Sequence, residues 1–125
     1  MLEKLGLIAL AGAAGTLARY WLSGLVYDLI GREFPWGTAA VNILGCFLFG
    51  LVWELGGERM IIRTETRAII LTGFMGAFTT FSTFIFESGA FLEDGRVLPA
   101  LANLGFQTVV GFAALFGGLM LGRML

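Results

Sequence analysis

Four long apolar stretches run along the chain, Leu5 to Ile30, Trp36 to Leu55, Ala68 to Leu92 and Val97 to Leu121. Short polar segments reading GREFP, GGERMIIRTETR and DGR separate them. Each run is close to the roughly 20 residues that an α-helix needs to cross a hydrocarbon core about 30 Å thick. The pattern predicts an all-α integral membrane protein with four transmembrane helices, forming a single domain over residues 1–125. So little chain lies between the runs that a soluble catalytic or binding domain has no room, and function must reside in the spans.

The third run is interrupted. Its middle, GFMGAFTTFSTF from Gly73 to Phe84, places glycines, hydroxyls and phenylalanines where a plain spanning helix needs only aliphatic side chains. Gly73 and Gly76 lower helix propensity by about 1 kcal/mol each, and the threonines compete for backbone hydrogen bonds. A break of the third helix mid-span, near GAFTT, is therefore predicted. Irregular backbone at that depth is tolerated only where protein buries it or where it lines a cavity, and unwound carbonyls there can coordinate a cation. If the chain is helical beyond Thr79, Phe81, Phe84 and Ser88 share one face, and Thr80, Thr83 and Glu87 share the adjacent one. In the second run, Thr38, Asn42, Gly45 and Phe49 form one helical stripe; in the fourth, Asn103 and Gln107 share a face.

Composition sharpens the membrane assignment. Hydrophobic residues make up 58% of the chain and charged ones 14%, against about 25% charged in soluble domains. With no histidine and one cysteine, Cys46 in mid-span, a zinc or haem site and an intrachain disulfide are not expected. The leading LGLIALAGAAG runs on into YWLSGLVY, too long for a secretory signal core. Lys4, Arg59, Arg63, Arg67 and Arg123 fall on the side of the termini, and Arg32 and Arg96 on the other, which favours cytoplasmic termini by a modest excess. The 19 glycines recur at small-residue spacings, as in Ala11 and Gly15, Gly73 and Ala77, and Gly118 and Gly122, that let helix backbones approach closely. Four thin helices enclose almost no volume, so a pore or carrier site forms more readily between two copies, as a dimer.

Polar groups at bilayer depth are costly and are the candidate chemistry. Arg19 cannot shed its charge: it either attracts an anion from a water-filled vestibule or snorkels to the interface near Tyr20 and Trp21. Asn42 offers two N–H donors and an acceptor, for an ion or for a neighbouring helix. The phenylalanines either pack or present their positive ring edges to a small anion, holding it without the full charge that would trap it. No nucleotide-binding motif, catalytic base or nucleophile is present, so neither an enzyme nor an ATP-driven pump is expected, and no nucleic-acid partner.

In order and spacing, GAAGTLARY, WGTAAVNILGCFLFG and above all GFMGAFTTFSTF resemble the signature segments of the Fluc (CrcB) fluoride channels, and the four-span layout covers the whole chain. The resemblance implies a fluoride-selective channel for passive fluoride efflux across the cell's inner (plasma) membrane. It further implies an antiparallel, dual-topology homodimer with two fluoride pathways and a structural sodium ion at its centre. Matched by motif, Asn42, Phe81 and Phe84 would face the ion, with Ser82 and Thr83 supplying hydroxyls along the pathway and Arg19 at its polar mouth. Gly76 and Thr79 would give backbone carbonyls to sodium, and Glu87 looks like an acidic position near the polar route. Where the family often has a tyrosine followed by serines on the fourth helix, this chain has Asn103 and Gln107, which still offer N–H donors on one face.

Two other functions fit the size. A proton-coupled exporter similar to the small multidrug resistance family would need a buried carboxylate in the first span, where no acid precedes Asp28 after the leading Glu3. A non-transporting assembly subunit would use Asn42, Glu87 and the glycines for packing alone.

Overall fold

The apolar runs fold as helices: α1, Leu2–Ile30; α2, Trp36–Leu55; and α6, Val97–Met124. The third run is assembled from α3, Thr64–Ile69, a π-helical stretch, Ile70–Met75, a short α4, Gly76–Phe78, and α5, Phe81–Glu93. The computed structural model describes residues 1–57 and 59–125. Four segments are long and apolar enough to cross a membrane: Leu2–Ile30, Trp36–Leu55, Thr64–Glu93 and Val97–Met124.

Glycine determines how these helices meet. α2 and α6 make the most extensive contact. There Gly50 lies against the Leu115 carbonyl and Gly118 against the Phe47 carbonyl, and a Cβ at either would overlap backbone. α1 packs on the third span in the same way. Gly15 abuts the Phe74 backbone, and a Cβ on Gly73 would lie 2.8 Å from that of Ala11. The small-residue spacings are thus contact points, where close van der Waals packing replaces the hydrophobic drive that lipid removes. What core there is centres on Val41, Met75 and Phe78, with Leu22, Leu48, Leu71 and Phe74 around it.

Cations and aromatic rings mark both ends of the bundle. At one end the Arg67 guanidinium lies 4.5 Å from the Trp53 ring centroid and donates to the Trp53 carbonyl at 3.2 Å, while Arg123 pairs with Glu54 at 3.6 Å. At the other, Arg32 lies 4.8 Å from the Tyr27 ring centroid and Arg96 5.0 Å from that of Phe91. Amphipathic rings and long cationic side chains of this kind belong at the level of lipid headgroups.

The break in the third span is real but sharper than the sequence suggests. Two residues leave the helix, Thr79 at φ −91°, ψ 160° and Thr80 at φ −148°, ψ 111°. Gly73 and Gly76 do not unwind; they sit in continuous π- and α-helical turns, where packing against α1 overrides their low propensity. The following helix starts at Phe81, so Thr80 caps the polar face and does not belong to it: its hydroxyl accepts from the Thr83 N–H at 3.2 Å.

Candidate functional site

A backbone group released by the break at membrane depth needs a new partner, from the protein or from whatever fills a cavity beside it. In an uninterrupted helix the Thr80 N–H would bond Gly76 O. Instead it donates to Asn42 Oδ1 at 2.8 Å, while Asn42 Nδ2 donates to Thr80 O at 3.1 Å. Asn42 thus pairs with one peptide unit through both ends of its amide. Gly45, one turn along α2, makes room for the break: its missing side chain is where the Thr79 methyl lies. The Ala77 carbonyl, which also loses its helical donor, accepts from Arg19 Nε at 2.9 Å. Arg19 therefore turns inward to the break instead of snorkelling past Tyr20 and Trp21.

A ladder of side-chain amides leads away from Asn42. Its Nδ2 also donates to Gln107 Oε1 at 2.8 Å; Gln107 Nε2 donates to Asn103 Oδ1 at 2.8 Å; Asn103 Nδ2 donates to Ser88 Oγ at 2.9 Å; and Ser88 donates to Phe84 O at 2.8 Å. Asn103 is 0% exposed and Gln107 7%. Buried amides are affordable only when bonded in this way. Asn103 and Gln107, expected from the sequence to offer N–H donors from one face of the fourth helix, are joined to Asn42 by hydrogen bonds.

Asn42 and Gln107 open onto a groove of about 430 Å³ between α2, the break, α5 and α6, which Phe49, Phe81, Phe84, Gly111 and Phe112 also line. Phe84 is buried, whereas Phe81 is 74% exposed at the groove's edge. Their ring centroids lie 6.0 Å apart at an interplanar angle of 58°. The groove is lined mostly by apolar residues, with the amides of Asn42 and Gln107 and the threonines Thr79, Thr80 and Thr108 supplying its polar groups.

The remaining residues singled out in the sequence separate into two places. Ser82 and Thr83 cluster with Thr80, whose hydroxyl lies 3.4 Å from Ser82 Oγ and donates to Thr83 Oγ1 at 3.0 Å; neither Ser82 nor Thr83 lines the groove. Glu87 lies on a second side. Its Oε1 accepts from Thr38 Oγ1 at 2.7 Å, Thr38 in turn lies 3.3 Å from the Tyr27 hydroxyl, and Oε2 has no partner among the described residues. Glu87 and Tyr27 line a separate cavity of about 490 Å³ that Arg32 and Arg96 also border. Tyr27 was not singled out in the sequence, and nothing in its spacing from Thr38 points to the contact. Thr38 and Asn42, adjacent on the α2 stripe, connect the two regions.

Gly76 O and Thr79 O share a further property. The donors that would serve them in a helix, the N–H groups of Thr80 and Thr83, are bonded to Asn42 Oδ1 and Thr80 Oγ1 instead. Both carbonyls therefore remain as oxygen donors beside the break. No cluster of three or more His, Cys, Asp or Glu side chains suited to a metal occurs among the described residues.

Residues 6–119 match the family model described as CrcB-like protein, Camphor Resistance (CrcB). A protein of Solidesulfovibrio magneticus is 81% identical over 125 residues, covering 100% of both chains, and one of Nitrosococcus oceani is 55% identical over the same extent. A third, from Maridesulfovibrio salexigens, is 49% identical over 118 residues and 94% of each chain. All three bear the name Fluoride-specific ion channel FluC.

Proposed function

Because the chain belongs to the CrcB family, we propose that it is a fluoride-selective ion channel, not an enzyme, through which fluoride leaves the cell passively across the inner (plasma) membrane. The observation that carries this reading is the groove, in which the broken third span, the Asn42 amide and the paired rings of Phe81 and Phe84 meet at one place. Fluoride is small and strongly hydrated, so a pore that selects it has to replace its water with N–H and O–H donors and with positive ring edges. Polar side chains stay committed to the protein until the ion arrives, and the rings add attraction without a fixed charge. In a cell with a negative interior, the membrane potential alone drives the anion outward by about 2.3 kcal/mol per 100 mV. The exporter alternative finds no support in α1, where Glu3 and Asp28 lie exposed at its two ends.

The working unit in this reading is a dimer of identical chains packed antiparallel. The groove is open along one side, with Phe81 and Phe112 exposed there, and a second copy would roof it and complete the pathway. The family resemblance supports the antiparallel arrangement, and the modest arginine bias permits insertion in both orientations. A structural sodium ion fits the same reading: Gly76 O and Thr79 O are hard oxygen donors beside unwound backbone, the ligand type that alkali ions take in membrane proteins. When bound, it would supply a fixed positive charge that holds the two breaks together.

Purified chain in liposomes tests the function. Fluoride should escape far faster than a carrier allows, with chloride retained and no dependence on a proton gradient. Proton-coupled cation uptake would favour the exporter, and inertness an assembly role.

A further inference from the structure

We infer that Gln107 is an internal competitor for the permeating anion: its Oε1 occupies the acceptor position on Asn42 that fluoride must take over. The inference rests on the channel function proposed above and adds a residue that controls how tightly the ion is held.

The argument begins with one peptide unit. Thr80 N–H can only donate and Thr80 C=O can only accept, so their bonds to Asn42 fix which end of its amide is oxygen and which is nitrogen. The second Asn42 N–H then points toward α6, where only an acceptor can meet it, and Gln107 presents Oε1 at 2.8 Å. Having turned its oxygen to Asn42, Gln107 has to aim Nε2 at Asn103, which presents oxygen and passes its own nitrogen to Ser88. A backbone group at the break thus dictates the direction of the whole ladder.

Asn42 is left with no uncommitted N–H. An anion that reaches it through the groove has to displace Thr80 O or Gln107 Oε1. Thr80 O is fixed by a two-bond ring with Asn42 and by backbone anchored through Arg19 at Ala77. Gln107 Oε1 makes one bond to Asn42, and although its amide is also tied through Nε2 to Asn103, the contact is between side chains only, at the tip of a long side chain that borders the groove beside Phe81 and Phe84. Gln107 is the acceptor that yields. Hydrogen bonds to an anion are roughly twice as strong as those between neutral groups, so fluoride prevails over an amide oxygen. The net gain is reduced by the bond it breaks, which favours release. Chloride, larger and a weaker acceptor, gains less from the same exchange; the bond broken costs both ions alike, so the donor sets the preference and the competitor sets how tightly the ion is held.

Gln107 is the one glutamine in the chain, so glutamine labelled with ¹³C and ¹⁵N in its side-chain amide reports it without ambiguity. In the full-length wild-type protein in lipid nanodiscs, fluoride titration should shift the Gln107 amide signals and an asparagine side-chain signal with a common midpoint, and chloride at equal ionic strength should shift neither. An unmoved Gln107 in protein that carries fluoride in liposomes overturns the inference and leaves the channel function standing; absence of fluoride transport removes both. As a second arm, Gln107→Met keeps the side-chain length without a comparable acceptor. The fluoride concentration giving half-maximal flux should fall about fivefold, the equivalent of one net hydrogen bond. An unchanged or raised value in a folded dimer contradicts the competition.

Discussion

Asn42 and Thr80 pair as neighbouring strands of a sheet do, the side-chain amide accepting from Thr80 N–H at 2.8 Å and donating to Thr80 O at 3.1 Å. One asparagine therefore repairs the backbone exactly where the third span loses its helix, and in doing so aims its remaining N–H toward the groove and Gln107.

Asn42→Asp keeps an acceptor for Thr80 N–H but loses both donors and adds a negative charge. Fluoride efflux from liposomes should be abolished. Thermal unfolding in detergent should also show a loss of stability of about 1–3 kcal/mol, because Thr80 O and Gln107 Oε1 are left unpaired. Normal efflux would remove Asn42 from the pathway.

Phe81→Ile and Phe84→Ile both replace a positive ring edge with aliphatic surface. Each should stop fluoride flux while the protein elutes from a sizing column as the wild type does. Their stability costs should differ: Phe84 is buried and Phe81 is exposed in the single chain, so thermal denaturation should penalise the Phe84 variant more. Undiminished flux in both variants would dismiss the ring-edge argument.

Glycine contacts make a prediction about folding alone. Gly118→Ala and Gly50→Ala each drive a methyl into the backbone of the facing helix and should cost about 1–3 kcal/mol. Gly105→Ala, on α6 with nothing within 4 Å of the added carbon, should be neutral or slightly stabilising. Denaturation midpoints of the three variants in one detergent decide the matter; a uniform response would mean that the helix approach is not what these glycines serve.

If the carbonyls of Gly76 and Thr79 hold the proposed sodium ion, the dimer should depend on it. Replacing sodium with a large organic cation throughout purification should lower the dimer fraction seen by cross-linking, and returning sodium should restore it. A dimer indifferent to the cation would exclude a structural ion at the break.

The spans and the break were legible in the sequence, and Asn42, Thr79 and Gln107 stood out there, because membrane depth makes each polar or flexible residue conspicuous among leucines. The partners of those residues were less legible. Spacing puts Asn103 and Gln107 on one face but does not say that Gln107 meets Asn42 from another helix, since that register depends on how closely Gly50 and Gly118 let α2 and α6 approach. Gly73 and Gly76 pointed to the break from the wrong side: their propensity is overridden by packing on α1, and the chain opens at Thr79, where Gly45 provides the space. Tyr27 stayed hidden because a tyrosine near a helix end reads as an interfacial anchor, and only the fold brings its hydroxyl to Thr38.

The central claim is selective passage of fluoride, and the reversal potential of the purified channel in a planar bilayer tests it most directly. With a fluoride gradient across the bilayer, the current should reverse at the fluoride equilibrium potential and stay there when an opposing chloride gradient is added. A reversal potential that moves with chloride, or a membrane that passes no fluoride current, would contradict the account.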